Sequence, residues 1–150
     1  MASSPLYLLD TNVLVHYVRG SAVWQRIRDA YRPLTVTPTP KYCVVSDGEI
    51  RSLALQWEWA EKKLDQMEFC LGFFQPQTID HPKVQRTYAT IDAYCESIGQ
   101  SMGKNDLWIA ATAAVTGATL LTTDRDFDKL APRFLTREWI DPETSPMDPA

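Results

Sequence analysis

The sequence predicts an α/β fold with three layers, in which helices cover both faces of a parallel sheet of about five strands. Short apolar runs alternate with amphipathic helical segments along the chain, which is the pattern of successive strand–helix–strand units. The chain has 150 residues, of which 45% are hydrophobic and 23% charged, and these values exclude a disordered chain. We expect one domain over residues 1–142 and a loose polar tail over 143–150.

Five apolar runs are predicted to form the strands. Each is short, rich in aliphatic or aromatic residues, and bounded by a residue that ends a strand. In chain order the strands are expected at 6–9, 42–45, 78–79, 119–122 and 138–140. The segment 33–40 contains three prolines and is therefore expected to be a loop or a frayed edge strand.

The helices are predicted from apolar side chains that recur every three or four residues. In chain order they are expected at 11–20, 23–31, 47–71 as one or two helices, 84–95 and 105–116, with a short helical turn at 126–130. Gly20, Gly72 and Gly117 are expected to end three of these helices, because glycine readily adopts the left-handed cap conformation. The helix 105–116 is apolar nearly all round, so we expect it at the centre of the fold.

The charge balance and the cysteines limit the class of protein. The net charge is −4, so binding of nucleic acid would need local basic residues or bound cations. Cys43, Cys70 and Cys95 are odd in number and far apart, and are predicted to be buried thiols in a reducing compartment. The longest uncharged stretch is too polar for a membrane span, and the N-terminus lacks the features of a signal peptide. We expect a cytoplasmic protein with no membrane partner.

Four carboxylates stand where predicted strands and helices meet. Asp10 follows the first strand, Glu49 opens the long helix, Asp106 opens the central helix and Asp124 follows the fourth strand. Taken singly, each has a structural explanation: a helix cap, an S-x-x-E capping box that begins at Ser46, a favourable contact with the helix dipole, or a turn. Together they favour a binding site, because the carboxyl ends of parallel strands share one edge of the sheet. We expect the four side chains to converge in one pocket there.

Converging carboxylates repel one another, and a divalent cation would remove that conflict. Oxygen donors favour Mg²⁺ or Mn²⁺ over zinc, and the two histidines are isolated in the sequence. Asp10, Asp106 and Asp124 are expected to coordinate the metal. Glu49 is expected either to complete the site or to accept a proton from the attacking water.

Four motifs at these positions resemble those of the PIN domain family. They are residues 8–14 (LLDTNVL), 48–51 (GEIR), 105–111 (NDLWIAA) and 121–127 (LTTDRDF), and they occur in the family's order along nearly the whole chain. The sequence resembles in particular the VapC-type toxins of bacterial toxin–antitoxin pairs. The resemblance implies a PIN-like α/β/α fold, metal-dependent hydrolysis of RNA, a protein antitoxin and a homodimer. The proline-rich segment before the second strand departs from the family's pattern and affects the contour of the site entrance.

The resemblance also implies roles for single residues. The four acids match the family's acidic quartet, Asn12 matches its D-x-N motif and Thr122 its T-x-D motif. Asn12 and Thr122 are expected to orient the acids, with a cap or turn hydrogen bond as the alternative, and Asp126 is expected to support the site or coordinate indirectly. The candidate contacts to RNA phosphates are Lys104, Arg51 and Arg125, for which an ordinary solvated surface charge is the alternative.

Two other functions stay open. A haloacid-dehalogenase-like phosphatase also carries an Asp after its first strand, but it needs a second Asp two residues later, where this chain has Asn12. A PIN-like scaffold that binds RNA or protein without catalysis is the other alternative, against which the intact quartet argues.

The antitoxin is expected to meet an apolar groove and to place an arginine or lysine among the acids. The N-terminal helices and the region of Trp57 and Trp59 are candidates for the groove. Trp57 continues the apolar stripe of the predicted helix 47–71, so core packing is expected for it. Trp59 lies off that stripe and is a candidate for the partner surface.

Overall fold

The computed structural model describes residues 4–143 and has the predicted three-layer α/β/α architecture. The elements in chain order are β1 (Tyr7–Leu9), α1 (Thr11–Arg19), α2 (Ala22–Tyr31), β2 (Lys41–Cys43), α3 (Val44–Gln56), α4 (Glu61–Phe73), β3 (Gln75–Gln77), α5 (Pro82–Ser97), α6 (Lys104–Thr116), β4 (Thr119–Thr122) and β5 (Thr136–Trp139). A 3₁₀ helix, Arg125–Leu130, joins β4 to β5. The tail predicted for 143–150 lies outside the described residues, apart from Glu143.

The five strands form one parallel sheet in the order β3-β2-β1-β4-β5. The central strand β1 pairs with β4 through Leu8 and Leu120, and the ladder continues as the Asp10 N–H donates to the Leu121 carbonyl at 3.0 Å. The chain segments that leave β1 and β4 are therefore neighbours at the carboxyl edge of the sheet. This edge is where ligands bind in open parallel sheets.

Alternate residues of the strands enter two separate hydrophobic cores. Leu9 and Leu121 pack with residues of α1 to α4 on one face of the sheet. Leu8 and Leu120 pack with α5, α6 and the 3₁₀ helix on the other face. Burial on both faces explains why the sequences of these strands are continuous apolar runs. The three cysteines are buried free thiols, as predicted.

The predictions around the second strand need correction. β2 ends at Cys43, and α3 begins at Val44 with no intervening loop, although the two valines that follow Cys43 favour a strand. The capping box that offered a structural explanation for Glu49 does not form, because the cap position is Cys43 and no side chain caps this helix. Ser46 lies inside α3, and Glu49 falls in the helix's second turn.

Three further boundaries differ from the prediction. The third strand is β3 rather than 78–79; it is a polar edge strand that tolerates Pro76, so it lacks the apolar signal of a central strand. Gly72 lies inside α4, which ends when Phe74 adopts an extended backbone. The last strand is shifted by two residues at its start and one at its end, to Thr136–Trp139. By contrast, Gly20 and Gly117 end α1 and α6 in the left-handed conformation, as predicted.

The described C-terminal segment returns to α2. Nη2 of Arg26 donates hydrogen bonds to the carbonyls of Asp141 at 2.7 Å and Glu143 at 3.1 Å. Within residues 4–143, no helix combines the length and the apolar character needed to cross a membrane.

Candidate active site

Asp10 is the buried centre of the site. It lies between β1 and α1 and is only 3% exposed. Its Oδ1 accepts a hydrogen bond from the Thr11 N–H at 2.8 Å, so Asp10 also caps α1, and its Oδ2 accepts one from the Thr122 hydroxyl at 2.7 Å. Burial raises the pKa of Asp10 to about 7; the Thr122 hydrogen bond opposes this shift, and the charges of Asp106 and Asp124 add to it.

Thr122, the last residue of β4, connects the two strand ends. Its hydroxyl donates to Asp10 and accepts a hydrogen bond from the Asp124 N–H at 2.9 Å. Asp124 in turn accepts a hydrogen bond from the Asp126 N–H at 2.8 Å, which caps the 3₁₀ helix. The T-x-D motif therefore holds the acids of β1 and β4 in a fixed arrangement.

Asp106, Asp124 and Asp126 form an acidic trio. Each offers a carboxylate oxygen, and these atoms lie within 4.8 Å of one another. Burial, followed by the charges of Asp124, Glu49 and Asp126, raises the pKa of Asp106 to about 6, while Lys129 has a smaller opposite effect. The sequence predicted that Asp126 supports the site or coordinates indirectly, and the structure puts its carboxylate beside the other two.

Glu49 reaches the same edge from α3. Its Oε2 accepts a hydrogen bond from the Asn105 side chain at 3.3 Å. Glu49, Asn105 and Asp106 line one groove together with Gly103 and Lys104. The four predicted acids therefore lie near one another at the carboxyl edge of the sheet, close enough for their charges to act on Asp10 and Asp106. The three carboxylates whose oxygens lie within 4.8 Å of one another are, however, those of Asp106, Asp124 and Asp126. Asn105 is a contact that the sequence did not predict for Glu49.

A buried pair of hydroxyls connects α1 to α3 beneath the acids. Thr11 Oγ1 and Ser46 Oγ lie 2.7 Å apart, and both residues are buried. Thr11 also supplies the N–H that binds Asp10. These two residues are 35 positions apart, and no sequence signal joined them.

The other predicted residues have different surroundings. Arg51 forms ion pairs with Asp47 at 2.6 Å and with Glu68. Lys104 is exposed at the start of α6 and lines the groove. Asn12 is exposed in the first turn of α1, and its side chain makes no hydrogen bond to any residue of the described part of the chain.

Arg125 is exposed between Asp124 and Asp126, and its guanidinium lies over the ring of Trp139. The sequence did not identify Trp139, because its closeness to Arg125 depends on the register of β5 against β4.

The donor set fits a hard divalent cation. Five carboxylates, including Asp126, gather at one edge, and the pKa values of two of them are raised. Among residues 4–143, none of the ion pairs involves any of these five acids. Uncompensated carboxylate oxygens are the ligands that Mg²⁺ and Mn²⁺ prefer.

The predictions for the two tryptophans are wrong. Trp57 is 43% exposed, with the Arg19 guanidinium over its ring, and Trp59 is buried in the core. The helical stripe was extended too far: α3 ends at Gln56, and Glu58 turns the chain with a positive φ of 53°. Trp59 therefore enters the core from a turn rather than from a helix face.

The fold matches those of known proteins. A family model described as "PIN domain" matches residues 7–132. VapBC2 from Rickettsia felis, crystallised with a DNA fragment from its promoter, has a chain with 20% identity and a TM-score of 0.76; the match covers 91% of this chain and 99% of that one. FitAcB from Neisseria gonorrhoeae has a chain with 23% identity and a TM-score of 0.69, covering 88% and 96%.

A third similar structure is VapBC-5 from Mycobacterium tuberculosis, with 23% identity, a TM-score of 0.63 and coverage of 91% and 98%. A search of curated proteins found no match. At these identities the solved structures show a shared fold, and the family model covers most of the sequence, including all four acidic motifs. The chain belongs to the PIN domain family.

Proposed function

We propose that this chain is a divalent-metal-dependent ribonuclease and the toxin of a toxin–antitoxin pair. The observation that carries the proposal is the convergence of Asp10, Glu49, Asp106 and Asp124 at the carboxyl edge of the sheet, in a member of the PIN domain family. Asp10 and Asp124 also cap helices, but these caps do not require the four acids to lie together, and each carboxylate raises the cost of ionising its neighbours.

Mg²⁺ or Mn²⁺ would be held by Asp10, Asp106 and Asp124, with Glu49 completing the site; Asp126 is close enough to take part. When bound, such an ion lowers the pKa of a coordinated water and neutralises charge on the phosphate. The raised pKa values of Asp10 and Asp106 support this assignment, because an added cation would favour the ionised forms of both.

The chain's own groups would orient the reactants. Thr122 holds one oxygen of Asp10, and the Thr11 N–H holds the other, so this carboxylate cannot rotate. Asn105 holds Glu49 at the groove, where the carboxylate would accept a proton from the attacking water. Lys104 and Arg125 are exposed at the rim and would bind RNA phosphates. Arg51 is a weaker candidate, because its guanidinium is engaged by Asp47 and Glu68.

The proposal includes a protein antitoxin. VapBC-5 is described as a member of a family of toxin–antitoxin systems, and a Klebsiella pneumoniae structure as a toxin–antitoxin complex. Phe69 and Phe73 expose an aromatic surface on α4 beside Tyr17, on which the apolar part of an antitoxin would pack. An arginine from the antitoxin would then pair with the acids. Co-purification with the product of an adjacent small gene tests the pairing, and light scattering of the free chain tests for a homodimer.

Replacing Asp106 tests the catalytic assignment. Asp106→Asn and Asp10→Asn are expected to lower Mn²⁺-dependent cleavage of single-stranded RNA by about 100-fold or more. Replacing a metal ligand should lower activity more than replacing a residue that only hydrogen-bonds to a ligand. The unfolding temperature of Asp106→Asn should stay the same or rise slightly, because one of several repelling charges is removed. Asp65→Asn, at an exposed position on α4, is the matched control and should cleave like the parent.

The same assays separate the alternatives. Hydrolysis of para-nitrophenyl phosphate without RNA cleavage would favour a phosphatase, against which Asn12 and the family membership argue. If the parent chain binds RNA without cleaving it, the result would favour a non-catalytic scaffold. Full activity in the Asp106 variant would refute the assigned site.

A further inference from the structure

A tryptophan at the end of β5 holds a cation beside the acids. The guanidinium carbon of Arg125 lies 3.7 Å from the centroid of the Trp139 ring. Trp139 ends β5 in register with Thr122, and Arg125 follows Asp124 in the chain, so this contact lies at the carboxyl edge of the sheet, beside the acids. Stacking of a guanidinium on an indole is a favourable cation–π contact.

A hydrogen bond holds the Trp139 ring in place. Its indole N–H donates to the Thr123 carbonyl at 3.1 Å. Trp139 is also in register with Thr122, whose carbonyl accepts a hydrogen bond from the Ile140 N–H at 2.8 Å. The ring is thus attached to the strand end that holds Asp10, and the position of Arg125 is linked to the position of the acids.

The N–H groups of Arg125 remain available. Its side chain is 65% exposed, and among the described residues its one ionic contact is Asp128 at 3.5 Å. Asp128 has a closer partner, since its Oδ1 lies 2.9 Å from Nε of Arg137. A guanidinium held by its flat face keeps its donor edge free, and that edge suits the oxygens of a phosphate.

We propose that Trp139 is a positioning residue that holds Arg125 as a clamp for a phosphate of single-stranded RNA next to the cleaved bond. The inference rests on the ribonuclease function proposed above and deepens it. The clamp would supply positive charge at the rim of an otherwise acidic site, in a chain whose net charge is −4.

The chain offers a matched control. The Arg19 guanidinium lies 4.4 Å from the centroid of the Trp57 ring, so it forms the same kind of contact. Arg19 is the last residue of α1, the helix whose first residue adjoins Asp10, and this pair therefore lies away from the acids. Trp57→Leu removes a tryptophan–arginine stack without touching the proposed clamp.

The experiment measures binding of a fluorescein-labelled single-stranded RNA by anisotropy in Mg²⁺, with Asp106→Asn as the common background. Trp139→Leu and Arg125→Met are each expected to raise Kd about three- to tenfold. The slope of log Kd against log salt should fall by about 0.7, the contribution of one phosphate contact to a single strand. Trp139→Phe keeps an aromatic face and should recover most of the affinity, and Trp57→Leu should bind like the background.

Coupling distinguishes positioning from a general structural effect. If Trp139 acts through Arg125, the double variant should bind about as weakly as either single variant. In chains that retain Asp106, Trp139→Leu should raise KM more than it lowers kcat. Unchanged affinity and salt slope in Trp139→Leu, or additive effects in the double variant, would overturn the inference while leaving the ribonuclease proposal intact. A parent chain that neither binds nor cleaves RNA would overturn both.

Discussion

At the residue scale, Asp10 shows that a structural and a chemical role can belong to one side chain. The sequence offered a helix cap and a metal ligand as alternatives for this residue. In the structure its Oδ1 caps α1, while Oδ2 is held by Thr122 and the carboxylate faces the charges of Asp106 and Asp124. Finding the cap therefore does not argue against the site, since the cap fixes the orientation that a ligand needs.

Thr122→Val is expected to destabilise the chain by about 1–3 kcal/mol, because Asp10 loses its buried donor and the Asp124 N–H loses its acceptor. The pKa of Asp10 should rise further, since the Thr122 hydrogen bond lowers it. Urea unfolding at pH 7 gives the free energy. Thr122→Ser keeps the hydroxyl and should lose less than Thr122→Val; equal losses in the two variants would mean that packing of the methyl group, not the hydroxyl, stabilises this position.

The acids could be predicted because residue type and place in the pattern both mark them. Asn105 and Trp139 could not, because each acts through a contact that depends on three-dimensional register: Asn105 reaches Glu49 across 56 positions, and Trp139 reaches Arg125 through strand pairing. The Arg51–Glu68 pair could not be predicted for the same reason, because Glu68 lies on the next helix, whereas the Arg51–Asp47 pair has the i, i+4 spacing that a helix brings together.

At the element scale, predictions held where local chemistry decides the structure. Gly20 and Gly117 end their helices because both adopt a positive φ. The predictions failed where the position of a segment in the tertiary structure decides its local structure. The valines after Cys43 enter a helix despite their strand preference, and β3 is a strand because it adds to a free edge rather than because it is apolar.

Gly72 provides a test of this distinction. It lies inside α4, and a Cβ built there meets nothing within 4 Å, so Gly72→Ala is expected to stabilise the chain by about 0.5–1 kcal/mol. Gly117 also has open space but a φ of +71°, so Gly117→Ala should destabilise by about 1–2 kcal/mol. Urea unfolding of both variants makes the comparison. A loss of stability in Gly72→Ala would show that the glycine ends the helix after all.

At the scale of the whole molecule, the sheet order gathers negative charge at one edge. β1 and β4 are neighbours in the middle of the sheet, and α3 and α6 add Glu49 and Asp106 to the same edge. None of the ion pairs in residues 4–143 involves these acids. Part of the folded state's stability should therefore depend on pH and on metal.

Without metal, the contribution of Asp10 and Asp106 to stability is expected to fall as pH rises from about 4 to about 7. Their pKa values rise from an ordinary 3.8 to about 7 and about 6 on folding. The folded chain then binds more protons than the unfolded chain in this range, so the contribution is complete below pH 4 and is lost as pH passes through the folded-state values. Unfolding in EDTA between pH 4 and 8 measures the trend, which should be flatter in Asp10→Asn than in Asp65→Asn.

Mn²⁺ should reverse this loss, because it binds the ionised carboxylates and only the folded chain brings them together. At pH 5 protons compete for Asp10 and Asp106, so a fixed Mn²⁺ concentration should raise the unfolding temperature only slightly. At pH 8 both groups are ionised and the rise should be several degrees larger, about 2–4 °C for each additional kcal/mol in a chain of this size. The rise in unfolding temperature that Mn²⁺ causes at pH 8 should be smaller in Asp106→Asn and unchanged in Asp65→Asn. An increment that is the same at both pH values, or that survives in Asp106→Asn, would place the bound ion away from the carboxyl edge of the sheet.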